Sequence, residues 1–468
     1  MKIRELFKNF AYTISSNFIS LAISMLVVLI VPKFIGVRAY GYWQLYIFYT
    51  TYVGVLHFGW LDGIYLRFGG AQYYELDKRL FFSQFIELCI FQIFVASVII
   101  ICSMFVGDPN RSYILIMTAI ASILINLRQF CLYILQDTGR IQEYSIISII
   151  GRIFYFMLVL LLLLIKVQSF KFFVLADIMG RILSLGYAFY TCRDIIFQKL
   201  SSFFWSLREV WTNLSVGVKL LLANFAGSLI IGVVRYGIQY FWGVKVFGKI
   251  SLTLNISNLL LTFISAISLV LYPALRRMNK SRLKNVYLNI REILMSLLFI
   301  GLLLYYPISF LLPLWLPKYK DSLVYMSLLF PMCIFSGKFS LLISTFMKTF
   351  RFERDLLRVN LISVGFSILI TLINILFIKQ LTVLMFCIVF ILWIQSSLGE
   401  YVLSKKLVLQ STYKLLEETV MVLIFMISNW YFGFVIGLIC YSLSLSLYLL
   451  MNRKRLNQGI KYLMQNAF

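Results

Sequence analysis

Residues 215–239 read SVGVKLLLANFAGSLIIGVVRYGIQ, an apolar run long enough to cross a bilayer that nevertheless carries Lys219 and Arg235. A helix rises about 1.5 Å per residue, so about 20 apolar residues span about 30 Å of hydrocarbon. A permanent cation there is costly unless its side chain reaches the headgroups or faces a polar interior. Where the two cations go therefore separates a passive span from the wall of a polar cleft.

The same kind of run recurs along all 468 residues. The chain is 61% hydrophobic and 13% charged, with a mean hydropathy of +0.91, which excludes a soluble globular protein. The runs are long and continuous rather than short and alternating, so the fold class is an all-α polytopic membrane protein and not a barrel. We place spans near 11–32, 42–66, 80–106, 112–136, 144–165, 170–191, 214–241, 249–272, 288–312, 321–347, 357–378, 381–403, 415–429 and 431–451, about fourteen in all. The N-terminal MKIRELFKNF has the basic flank of a signal sequence, but the run after it is too long and ends at Val31-Pro32 without a small-residue cleavage site, so it reads as a retained first span.

Charge orients the layout. With the N-terminus inside, alternate segments collect Lys2, Arg4 and Lys8; Arg67, Lys78 and Arg79; Arg140; Arg193, Lys199 and Arg208; Arg276, Arg277, Lys280, Arg282 and Lys284; Lys348, Arg351, Arg354 and Arg358; Lys405, Lys406 and Lys414; and Arg453, Lys454, Arg455 and Lys461, while the intervening loops hold one or two each, such as Lys33 with Arg38, or none. Both termini are therefore expected in the cytoplasm. The net charge of +25 follows from this bias and from anionic headgroups, not from nucleic-acid binding. The seven cysteines form no CxxC and have no companion histidines, so they read as core packing; no metal, cofactor or catalytic residue is expected.

The longest break, 192–213, contains FFWSLREVW, an amphipathic segment for the cytoplasmic surface. It divides the chain into a six-helix lobe (1–191), a connector (192–213), a second six-helix lobe (214–403) and two further helices with a basic tail (404–468). A faint repeat agrees: Asn9-Phe10-Ala11 and Asn224-Phe225-Ala226 are each followed by an aromatic-Gly pair, Tyr40-Gly41 and Phe247-Gly248.

Polar residues recur on single helix faces. Asn17, Ser20 and Ser24 do so in the first span; Asn224, Ser228, Gly232, Arg235 and Gln239 in the seventh; Ser251, Asn255, Asn258 and Thr262 in the eighth. Such stripes serve tight helix contacts or line a shared wet cleft, and their concentration in the leading spans of the two lobes favours the cleft. Lys219 and Arg235, sixteen residues or roughly 24 Å apart, point to nearly opposite faces. Lys219 can snorkel; Arg235 shares the polar face, with snorkelling at the outer end as its competing account. Lys338 lies well inside the tenth span. Arg128, Arg152 and Glu87 lie about two turns from cytoplasmic ends, where snorkelling competes with function. Asp177 and Arg181 are spaced as an ion pair. Asp62, Glu87 and Asp177 are the candidates for a coupling H+ or Na+. His57, the sole histidine, is expected to be buried and hydrogen bonded. Fixed cations suit phosphate, so Arg235, Lys338, Arg128 and Arg152 are candidate diphosphate ligands, and Tyr46 and Tyr49 offer ring faces for sugars or simply pack the core.

At residues 36–70, GVRAYGYWQLYIFYTTYVGVLHFGWLDGIYLRFGG, and again in VKLLLANFAGSLIIGVVRYGIQ and GKFSLLISTFMKTFRFERDLLRVN, the chain resembles the bacterial polysaccharide flippases of the multidrug/oligosaccharidyl-lipid/polysaccharide exporter superfamily. The resemblance implies two six-helix lobes around a cationic cavity, and alternating access that carries an undecaprenyl-diphosphate-linked O-antigen or capsule repeat unit between leaflets. It also implies an exchanged proton or sodium ion and work alongside a polysaccharide polymerase. A cation-coupled drug antiporter of the same superfamily is the alternative. A membrane glycosyltransferase or polymerase is expected to show catalytic acids or a large outer loop, and neither is present.

Overall fold

The computed structural model describes residues 3–258, 261, 280–407 and 412–466. Among them the chain is helical throughout, with eleven helices long and apolar enough to cross a membrane. Three of the fourteen expected spans fall outside that set for separate reasons. The second is broken, the eighth runs into residues outside those described, and the thirteenth, α19, carries Lys414, Glu417 and Glu418 near its start. The chain divides into two compact units, Met1–Phe225 and Ala226–Phe468, and the boundary falls inside one continuous helix.

Unit 1 holds α1 (Ile3–Phe34), α2 (Val37–Tyr52), α3 (Trp60–Phe68), α4 (Lys78–Met104), α5 (Pro109–Asp137), α6 (Ile141–Leu164), α7 (Phe170–Thr191), the short α8 (Arg193–Ile196) and the first half of α9 (Leu207–Phe241). Helix starts are conventional: Asp77 accepts from the amides of Arg79 and Leu80, and Asp108 from that of Asn110, with Pro109 at the first helical position. The second span is discontinuous. After α2 a 3-10 turn over Val53–His57 leads to Phe58 and Gly59 at φ 53° and 92°, and only then does α3 begin. The carbonyls freed by the break are met from neighbouring helices, that of Val53 by Asn126 and that of Leu56 by Gln92. Gly59 and Gly63 let α3 lie backbone to backbone on α9: a Cβ at Gly63 would sit 2.0 Å from the Asn213 carbonyl oxygen, and one at Gly217 2.0 Å from that of Gly59.

The connector is strapped to α4 and to the turn before it. Lys78 and Tyr73 hold Asp194, Arg79 donates to the Ser202 carbonyl, the Phe204 amide donates to Ser83, and Glu87 accepts from both the amide and the hydroxyl of Ser206. An amphipathic pattern alone does not reveal such side-chain anchors.

In unit 2, α9 continues into α10 (243–258), followed by α11 (Lys280–Gly301), α12 (Tyr305–Trp315), α13 (Lys320–Leu323), α14 (Met326–Leu329), α15 (Met332–Gly337), a π-helical turn over Lys338–Ser344, α16 (Thr345–Thr349), α17 (Glu353–Ile373), α18 (Leu381–Leu407), α19 (Thr412–Tyr431) and α20 (Gly433–Asn466). The span over Met326–Thr349 is its centre: 89% of its apolar window is buried, whereas every other span buries half or less and turns the rest outward. The last two helices belong to this unit. Tyr306 donates to the Gly437 carbonyl and Tyr441 to that of Phe299, and Phe425 packs edge-on against Tyr441.

Candidate functional site

The two units treat their intramembrane charges in opposite ways. In unit 1, Arg128 lies nine residues before the end of α5, and Arg152 and Arg181 each lie eleven residues into α6 and α7. At about 1.5 Å per residue all three are roughly 13–17 Å from a helix end, well inside the span. They are brought together where α6 and α7 cross at Gly151 and Gly180, each of whose absent Cβ would stand 2.6 Å from the other's carbonyl oxygen. Arg152 and Arg181 act electrostatically on Arg128 and on Asp177, the one acid of the group. Asp177 is taken by Arg181 Nε at 2.6 Å and by the Tyr46 hydroxyl at 2.7 Å. Arg128 donates from Nη1 to Ser184 at 3.3 Å, while its buried Nε has no hydrogen-bond partner. Neither Arg128 nor Arg152 forms an ion pair among the described residues. Three guanidinium groups against one carboxylate leave a local excess of two positive charges.

In unit 2 the charges of one buried cluster cancel. Arg291 donates to Glu400 at 2.6 Å and to Glu418 at 2.5 Å, and Lys338 bonds the second oxygen of each, closing a four-membered ring of side chains from α11, the π-turn, α18 and α19. Lys414 pairs with Glu292 beside it, giving three cations to three acids. Gly399 admits this approach, since a Cβ there would fall 2.8 Å from Ile343 in the π-turn. Removing one member of such a buried network strands its partners, so the ring is a mutually dependent unit.

These placements sort the sequence candidates. Lys338 is wholly buried and already holds two carboxylates, a set of anionic partners from distant sequence that hydropathy does not disclose. Arg235 donates to Ser251 at 3.1 Å and lies 5.3 Å over the Phe247 ring, so neighbouring polar and aromatic groups accommodate its charge; Lys219 is exposed. Arg128 and Arg152 converge as described. Tyr46 has no exposed ring surface to offer a sugar, because the core packs both faces and Asp177 takes its hydroxyl; Tyr49 is half-buried against Phe48. Of the polar stripes, Asn17, Asn224 and Ser228 are exposed, Ser20, Asn255 and Asn258 half-buried, and Gln239 buried; Thr262 lies outside the described residues. Of the three acids, Glu87 is engaged by Ser206 and Asp177 by Arg181 and Tyr46, whereas one oxygen of Asp62 has no hydrogen-bond partner. Sequence reasoning missed Arg291, Glu400 and Glu418. Their signal was a charge inside an otherwise apolar span, but the partners lie 109 and 127 residues from Arg291.

No protein-family model and no curated protein matches the chain. Solved structures do. An inward-facing multidrug resistance MATE family transporter of the MOP superfamily superposes with a TM-score of 0.63 at 13% identity, covering 84% of this chain and 98% of the other. An outward-facing one gives 0.60 at 14% identity, over 86% and 95%. A MOP superfamily transporter from Pyrococcus furiosus, described as having a binding pocket of reversed polarity that suggests a different function, gives 0.54 at 14%, over 86% and 95%. The fold is thus the one found in MATE transporters of the MOP superfamily, and the chain is a multi-pass helical membrane protein with that architecture.

Proposed function

We propose that the chain is an alternating-access transporter of the bacterial inner membrane. Its cargo in this reading is an undecaprenyl-diphosphate-linked oligosaccharide, moved from the cytoplasmic to the outer leaflet for O-antigen, capsule or exopolysaccharide assembly, upstream of a polymerase. The observation that carries it is the guanidinium cluster of unit 1: Arg128 and Arg152 sit at mid-span with no acid of their own, and Arg128 keeps a buried donor unsatisfied. An anionic headgroup entering from the bilayer would meet that need, and the forked donors of arginine suit phosphate oxygens.

A cation-coupled small-molecule antiporter is the second reading. The descriptions of the structural neighbours as multidrug transporters speak for it more directly than for a lipid-linked cargo. Against it stands the sign of the cluster, which repels an organic cation; the neighbour with reversed pocket polarity supports the idea that this fold serves cargoes of different charge.

The test compares lipid-linked repeat units, leaflet by leaflet, in the native host lacking the gene and in strains complemented with wild type or Arg128→Gln. Accumulation in the cytoplasmic leaflet relieved by wild type and not by the variant is the expected result. Repeat units reaching the outer leaflet unchanged without the gene would sink the lipid-linked cargo and bring the antiporter forward. Failure of repeat units to form at all would point to assembly chemistry.

A further inference from the structure

The break in the second span presents a built pair of titratable groups. His57 ends the 3-10 turn and Asp62 lies in the first turn of α3, with 4% of each residue exposed. His57 Nδ1 accepts a hydrogen bond from the Gly59 amide at 3.1 Å, which fixes the neutral ring with its proton on Nε2. That nitrogen faces Asp62 Oδ2 at 3.8 Å, too long for a hydrogen bond, and Oδ2 has no partner; Tyr133 donates to Oδ1 at a long 3.4 Å. A buried carboxylate oxygen with no donor is costly as an anion and much less so once it carries a proton.

The neighbours give Asp62 no further donor, and Asp137, one turn beyond Tyr133, likewise has its carboxylate oxygens buried without a hydrogen-bond partner. From α5 come Tyr133 and, a turn further on, Asp137. From α4 come Gln84, Gln92 and Glu87, the first two neutral and the last bound to Ser206. On α3 itself, Tyr65 stacks near Tyr133, and Arg67 is spent on Asn213 and Glu209 of α9. Asp137 lies at the other end of α3, its carbonyl accepting from the Gly70 amide at 2.9 Å. Among the described residues no lysine or arginine pairs with Asp62.

We propose that His57, Asp62 and Tyr133 form a proton-binding site at the break in the second span. The carboxylate of Asp62 takes up one proton at Oδ2 to become the neutral acid and later releases it, with no other bond made or broken. The glycine contacts give the site a mechanical outlet: α3 touches α9 through Gly59, Gly63 and Gly217 with no side chain between, and α9 continues through the boundary into unit 2. A shift of α3 when Asp62 changes charge is passed directly to α9. The existence of the site is independent of the transport reading; its role in driving transport rests on that reading.

The test uses purified full-length protein and dicyclohexylcarbodiimide, which adds to a protonated carboxyl group in an apolar setting as the acid proton moves to the carbodiimide nitrogen. Peptide mass mapping should find the adduct on Asp62, decreasing as pH is raised from about 5 to about 9, a range that brackets the ordinary imidazole and the upper reach of buried carboxyls. The adduct should be lost in Asp62→Asn, retained in Asp62→Glu, and shifted in its pH midpoint in His57→Gln, while Glu87 and Asp177 stay unmodified. Asp62 left unlabelled at every pH, or labelled equally at all of them, overturns the site. Transport by Asp62→Asn with wild-type pH dependence overturns its coupling role. Normal labelling in a protein that fails the leaflet assay would instead retire the transport reading and leave the site standing.

Discussion

An arginine inside a membrane span costs about 3 kcal/mol or more unless something polar receives it, and unit 1 keeps three of them together. Arg128, half-buried, and Arg152, exposed, hold no acid of their own, in contrast to Lys338 and Arg291, so their substitution should affect function more than folding. Arg128→Gln is expected to abolish leaflet transfer while its thermal unfolding stays near or above that of wild type; a variant that unfolds early would assign Arg128 to the scaffold. Lys338 is the opposite case. Lys338→Met leaves Glu400 and Glu418 with Arg291 alone and should destabilise the protein by about 3–5 kcal/mol, seen as a lower midpoint in detergent unfolding. A variant of wild-type stability would mean that the ring is dispensable to the fold.

At the level of elements, close helix crossings place these charges. Gly180→Val puts a branched side chain where its Cβ alone meets the Gly151 carbonyl at 2.6 Å, so α6 and α7 must part and carry Arg152 and Arg181 away from each other. Loss of about 1–3 kcal/mol is expected, together with loss of transport, and a crosslink between cysteines introduced on α6 and α7 reports the separation. The connector gives a prediction in pH. Partial burial raises the Asp194 carboxyl, but the hydrogen bonds from Lys78 and Tyr73 outweigh it and hold the group below the ordinary carboxylate range. Its folded value lies below its unfolded one, so this anchor is fully present above the ordinary carboxylate pKa and is lost as pH falls through the lower, folded value. Protection of the amides over 193–204, taken against the intrinsic exchange rate at each pH, should therefore fall under acid in wild type and already be low at neutral pH in Asp194→Asn. Equal protection in the two proteins would remove Asp194 from the anchor.

For the whole molecule, the basic segments make a prediction independent of cargo: reporters fused after Lys461 and at the N-terminus should both be active on the cytoplasmic side, and a periplasmic C-terminus would reverse the assignment of every loop. The class of the fold was legible because hydropathy and charge bias are local, additive properties of the chain; long apolar runs in water-free surroundings have no alternative to closed helices. The interruption of the second span was less so. LHFGWLDG reads as apolar and continuous, and only the positive φ of Phe58 and Gly59, with Asn126 and Gln92 waiting for the freed carbonyls, makes the break visible.

The sequence by itself determined that this protein is helical, crosses the membrane many times, and carries cations where hydrocarbon should be. Tertiary structure alone decided which of those cations are answered. Lys338 and Arg128 look alike along the chain, each a single positive charge in an apolar run. One finds two glutamates brought from 62 and 80 residues away, and the other finds two more arginines. The electrostatic environment of a buried charge is set by what packs within a few ångströms of it, and that is fixed by helix crossings between distant segments rather than by the residues on either side.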